Sequence, residues 1–233
     1  MALAFALFLN DSVFLLFANE GILSADGRRR WRIALGSSNF QLRGKQLFFT
    51  HLLLIHRPIF KLTWSLEKNT TATTTNWQDQ RQVFNALRPI VVGIGFMQFI
   101  ALPFVLFFYL TNVSIITVLI LLYGLITAAL IIVGLKRQPF ALSKKRLTVL
   151  CFECLICPPI AVNLVRKLSL GLNLTDDLVS TAKALLATDQ WQAAQLEFIH
   201  RIDIQLTSEE DLSLRHAALK ARRDEIQTMR FKR

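Results

Sequence analysis

Two long uncharged runs, separated by a few polar residues, leave this chain little choice of fold class. Residues 90–110 carry no charge and one strongly polar side chain, Gln98; residues 115–135 are also uncharged, with Thr117, Tyr123 and Thr127 as mild exceptions. At a helical rise of ~1.5 Å per residue, a run of about 21 residues spans a hydrocarbon core roughly 30 Å thick. A soluble core helix needs an apolar stripe, not an apolar circumference, over that length. Residues 89–135 are therefore expected to form a transmembrane hairpin of two helices turning at 111–114.

Side chains inside the hairpin refine this expectation. Gly124 and Ala128, four apart, make a small-residue face on which helices approach closely, and Gly93 and Ala101 serve the other helix in the same way. Pro103 is expected to kink its helix. Gln98, at membrane depth, needs a hydrogen-bond partner, for which Tyr123 and Thr127 are the candidates. Gly93 and Gly95 do not make a dinucleotide fingerprint, because no strand precedes them and no third glycine follows.

The formal net charge is +11. Such a surplus points to nucleic acid or to an anionic membrane surface. The apolar runs decide for the membrane, and no stacking motif, helix-turn-helix pattern or basic low-complexity tail supports nucleic acid. The expected partners are thus the lipid bilayer, anionic phospholipid at the basic flanks, and a membrane-protein partner or a second copy of the chain. The turn at 111–114 has no basic residue, whereas Arg81 and Arg88 precede the hairpin and Lys136, Arg137, Lys144, Lys145 and Arg146 follow it. The positive-inside rule places both ends in the cytoplasm. The expected location is a bacterial inner membrane with both termini cytoplasmic.

Ahead of the hairpin, the apolar residues 1–17 are broken by Asn10, Asp11 and Ser12 and lack a basic leader and a cleavage site, which argues against a signal peptide. A further membrane helix there would carry Asp11 at a cost of ~3 kcal/mol. Strands separated by turns at 19–21, at Asp26-Gly27, at 36–39 and at 43–45 fit better, with another strand at 59–64. Residues 1–67 are read as a small β-rich domain. Residues 68–88 are a Thr-rich polar linker and an interfacial approach, in which Trp77 either lies at headgroup level or packs on protein.

After the hairpin, residues 136–167 form a basic loop and an apolar Cys-Pro segment. Basic residues at both its ends and the Pro158-Pro159 pair oppose a third crossing, so a re-entrant or interfacial segment is expected. Cys151, Cys154 and Cys157 superficially resemble an iron–sulfur ligand run, but the chain has no fourth cysteine. They are weak metal candidates, with His51, His56, His200 or His216 as distant additions; inert packing is favoured, and no cofactor is assigned. Glu153, a carboxylate in an apolar segment, is either functional or paired with Lys145 or Arg146.

Residues 168–233 read as a helical cytoplasmic module. Asn173 or Thr175 caps its first helix, Thr188 or Asp189 starts a second with the stripe Trp191, Gln195, Phe198 and Ile202, and Ser208 caps a third. Leu212, Leu219 and Ile226, at seven-residue spacing, form a seam for a partner helix or for the chain's own helices. The whole is an integral membrane α+β protein. With no catalytic constellation in view, its expected role is a non-catalytic accessory, scaffold or assembly subunit. The alternative is a membrane-embedded metal, redox or enzyme site built on Cys151, Glu153, Cys154 and Cys157.

Overall fold

The computed structural model describes residues 13–25, 31–43, 45–49, 55–64, 77–108, 112–138, 140, 142–172, 174–208 and 213–229. The expectations for residues 1–12, the Asp26-Gly27 turn, the Thr-rich linker, Asn173 and Leu212 fall outside these residues. Two compact units are present: residues 1–14, 49–59 and 76–173 in one, residues 15–48, 60–75 and 174–233 in the other. The strand-bearing segments thus cluster with the C-terminal helices, and the apolar hairpin with the cysteine segment.

The first unit is helical. Helix α1 (Trp77–Phe96) runs through a π-helical turn (Met97–Ala101) into α2 (Leu102–Phe107), and α3 (Asn112–Leu135) returns. Residues Asp79–Phe107 and Asn112–Leu135 are both long and apolar enough to cross a membrane, and only 28% and 22% of their most apolar windows are buried in the protein. A core helix would be mostly covered. The covered part of α3 is one stripe, Leu122, Ile126, Ala129, Leu130 and Val133, at the spacing that keeps a single helix face inward. Gly93 lies where the helices come closest, since a Cβ there would stand 3.2 Å from Leu125 Cδ1. Among the described residues nothing packs on Gly124, which faces open space.

Pro103 is accommodated differently from a simple kink. It cannot donate to the carbonyl four residues back. The preceding turn widens, and the Leu102 N–H bonds Met97 O, five residues back. The expected interfacial approach is part of α1: Val83, Phe84 and Leu87 are buried, and Phe84 meets Phe140 edge-on at 5.3 Å. Trp77 is buried too, which settles its two readings in favour of packing on protein.

Helices α4 (Lys144–Ile156), α5 (Pro158–Val162) and α6 (Leu164–Leu170) complete this unit. The break at Cys157 (φ −128°, ψ 83°) follows from the ring of Pro158, which pushes the residue before it out of helical geometry. Ser169 Oγ, buried, accepts the Ile59 N–H at 3.0 Å and donates to Arg166 O.

The second unit joins two three-stranded sheets to three helices. Strands β1 (Val13–Leu16), β5 (Lys45–Phe49) and β4 (Ser37–Leu42) form one sheet in the order β1-β5-β4. Strands β3 (Trp31–Leu35), β2 (Glu20–Ala25) and β6 (Ile59–Thr63) form the other in the order β3-β2-β6. β2 and β3 pair antiparallel from Gly21↔Leu35 to Ala25↔Trp31, and Ile22, Leu23, Phe60 and Leu62 make the apolar interior of this sheet. The turn expected at 36–39 shrinks to Gly36, because β4 begins at Ser37. A Cβ on Gly36 would lie 2.5 Å from Gln46 Cβ, so the close approach of these segments requires glycine.

Helices α7 (Leu178–Leu185), α8 (Thr188–Ser208) and α9 (Leu214–Thr228) cover this unit. Trp191, Phe198 and Ile202 are fully buried along α8, on the stripe its periodicity implied. The caps differ from expectation. Asp177 itself caps α7, its Oδ2 accepting the Ser180 N–H at 2.9 Å, and Ser213, not Ser208, caps α9 through the His216 N–H. Both residues have extended backbone, which lets a short side chain reach the third N–H of its helix.

Candidate functional site

The polar residues singled out from the apolar segments meet different fates. Gln98 is buried, four residues beyond Ile94 on the inward stripe that also carries Leu87 and Val91. Its Oε1 has no hydrogen-bond partner among the described residues. Neither Tyr123 nor Thr127, both exposed, caps it.

Glu153 pairs with Lys167 rather than with Lys145 or Arg146: Nζ stands 3.4 Å from Oε2, with both side chains partly exposed. The hairpin made by α4, α5 and α6 explains the exchange of partner. The proline break folds α6 back toward α4, bringing residue 167 opposite residue 153. Arg146 instead donates through Nη1 to Gly171 O at 3.2 Å. That carbonyl lies at the end of α6, where a cation suits the helix dipole. The pair and the arginine line one recess between α4 and α6, and this charged group is the candidate site. Lys167, its central cation, was not a sequence candidate: fourteen residues separate it from Glu153, and no periodicity connects positions across a chain reversal.

The three cysteines are all free. Cys154 is buried, whereas Cys151 and Cys157 are half-buried. Among the described residues no group of three His, Cys, Asp or Glu side chains is placed to hold a metal ion, so the cysteine run finds no ligand set there. His51 lies outside the described residues. Burial pushes the Cys154 thiol from 9.0 up to about 12, against the opposing pull of the Lys167 charge.

Cys154 is therefore expected to resist alkylation in the folded protein near neutral pH, with a thiolate fraction about a thousandfold below that of an ordinary thiol. Iodoacetamide labelling followed by peptide mass mapping checks this; label on Cys154 ahead of Cys151 and Cys157 contradicts it. The folded value lies above the unfolded one, so the stabilising contribution is whole below pH 9.0 and is lost as pH rises toward about 12.

The seam residues Leu219 and Ile226 are fully buried. α9 packs on α8, and Gln195 Nε2 donates to Ile226 O at 2.6 Å. Of the two roles open to the seam, these two residues take the one within the chain, because α9 needs its one apolar stripe to join the second unit.

Two buried arginines, both missed as site residues, organise that unit. Arg222 Nη2 donates to Asp177 Oδ2 at 2.9 Å and Nη1 to Glu225 Oε2 at 2.6 Å. Arg201 donates to Gln46 Oε1, to Gly36 O and to Glu197 Oε1. Their signal lay in the periodicity. Each arginine sits on its helix's apolar stripe, Arg222 between Leu219 and Ile226, and Arg201 between Phe198 and Ile202.

The first sheet carries apolar side chains outward: Phe17, Phe40 and Leu42 are exposed, as is Leu15 on β1. Lys45 Nζ lies 4.5 Å from the Phe17 ring centroid, a cation–π contact. Comparison with protein-family models, with curated proteins and with solved structures finds no match to this chain.

Proposed function

We propose that the chain is a non-catalytic membrane accessory or scaffold subunit, anchored by the α1–α3 hairpin and presenting its second unit to a protein partner. The observation that carries this reading is the outward apolar face of the first sheet. Leu15, Phe17, Phe40 and Leu42 are exposed on or next to its strands, and Leu196, Ile204 and Leu214 are exposed on α8 and α9. Exposed aromatic and aliphatic clusters of this kind mark interaction surfaces. The membrane part is supported by two long apolar helices whose outer surfaces the protein leaves largely uncovered. Arg81 and Arg88 within α1, and Lys136 and Arg137 after α3, favour an inner membrane with both ends of the hairpin cytoplasmic and the connection between α2 and α3 outside.

Purification of the untagged full chain from native membranes in mild detergent is expected to bring down a membrane-protein partner or a second copy of the chain. Phe40→Lys together with Leu42→Lys is expected to release that partner without shifting the unfolding midpoint of the purified chain. A lone monomer from native membranes opposes the scaffold reading. Membrane-impermeant protease or thiol reagent applied to intact cells is expected to leave residues before 88 and beyond 136 untouched.

A further inference from the structure

Helix α4 breaks a local rule. Its first turn is Lys144-Lys145-Arg146, with no acidic residue, behind the Ser143 cap. Cations there oppose the positive end of the helix dipole, an arrangement that costs ~0.3–1 kcal/mol per charge. Departures of this kind concentrate where a chain has work to do.

Two adjoining hollows flank this helix. The first, about 380 Å³, is bounded by Arg146, Glu153, Lys167 and Gly171 with Leu150 and Leu170. The second, about 500 Å³, is lined almost wholly by carbon from Val149, Phe152, Ile156, Cys157 and Ile160. Val149 and Glu153 border both, so the charged recess and the apolar groove are neighbours with these two side chains between them. Phe152 and Ile156 are exposed along it.

We propose that this composite site holds one anionic glycerophospholipid, its phosphate against Arg146 and Lys167 and an acyl chain along the groove of Phe152, Ile156 and Ile160. The site rests on the membrane reading above and adds a specific ligand to it. Charge decides the headgroup. Two cations and one carboxylate face the recess, and Lys144 and Lys145 stand exposed beside it. The Lys167–Glu153 pair is 3.4 Å long and partly exposed, so it is weakly held, and that ammonium makes charge-assisted hydrogen bonds with phosphate as it does with carboxylate. Shape decides the tail. A free phosphate or a soluble anion leaves the groove empty, whereas a diacyl lipid covers surface that water otherwise meets.

Native mass spectrometry of the full chain in neutral detergent tests the site, with phosphatidylglycerol and phosphatidylcholine of identical acyl chains offered together. One phosphatidylglycerol per chain is expected to survive, at least about tenfold above phosphatidylcholine, whose phosphate is the same but whose choline cation is repelled by the basic residues at and next to the recess. Excess inorganic phosphate is expected to leave it bound. Lys167→Gln is expected to lower retention about tenfold, and Phe152→Ser to lower retention of both lipids alike. Lys144→Gln with Lys145→Gln, both at exposed positions, is expected to give a smaller loss than Lys167→Gln.

Equal retention of the two lipids by the unaltered chain overturns the proposal, and displacement by inorganic phosphate reassigns the recess to a soluble anion. Alkaline carbonate extraction separates the two levels. A chain that stays in the membrane pellet but shows no headgroup preference loses only this site, and a chain that washes off loses the membrane reading itself.

Discussion

Arg222→Met is expected to destabilise the second unit by ~3–5 kcal/mol, the usual consequence of removing one partner of a buried ion pair. Asp177 Oδ2 takes three donors: the Arg222 guanidinium, the Ser180 N–H and the Ser180 hydroxyl. Both charged side chains are at most 3% exposed, so solvent does not replace the lost guanidinium. The damage comes less from a missing attraction than from a stranded carboxylate. Trp31, Trp64 and Trp191 are buried in this unit, so intrinsic fluorescence follows its unfolding directly. The midpoint is expected to fall by roughly ten degrees or more. Adding Asp177→Asn keeps a capping oxygen for Ser180 and removes the stranded charge, so the double variant is expected to recover part of the loss. A double variant no more stable than Arg222→Met alone rules out the ion pair as the cause.

Arg201→Met is the second large effect, ~2–4 kcal/mol by the same logic applied to neutral acceptors. The side chain of Arg201 joins α8 to two points of the strand region, Gly36 O and Gln46 Oε1, both buried. Methionine of similar length fills the volume but donates nothing, leaving two buried oxygens without their hydrogen-bond donor. Gln46→Leu in the same chain removes one of these oxygens and is expected to return about 1 kcal/mol or more. Chemical unfolding monitored by fluorescence measures both variants. An Arg201→Met chain as stable as the parent shows that water replaces the arginine and that this joint is not structural.

These two residues also mark the boundary of what a linear reading reaches. A charged residue on an apolar helix stripe is visible in the sequence, at Arg201 between Phe198 and Ile202 and at Arg222 between Leu219 and Ile226. Its acceptor is not visible. Arg222 finds Asp177 forty-five residues away, and Arg201 finds Gln46 across most of the chain. Similarly, the proline pair marked the end of α4, but the pairing of Glu153 with Lys167 depends on the reversal those prolines impose. The seam of Leu219 and Ile226 was legible as an apolar stripe. What it packs against was not, because an inward stripe has the same period whether its neighbour is a partner or the same chain.

The sequence by itself determined the two uncharged runs as helix, the strand-rich start, the stripe of α8 and the helix break at Cys157. Each rests on periodicity, charge or proline geometry within a dozen or so neighbouring residues. Only the tertiary structure decided that the strands share a unit with the C-terminal helices, that neither Tyr123 nor Thr127 reaches Gln98, and which cations meet which carboxylates. Those outcomes depend on contacts between distant segments, where burial and the need to pair every desolvated charge select one partner from many.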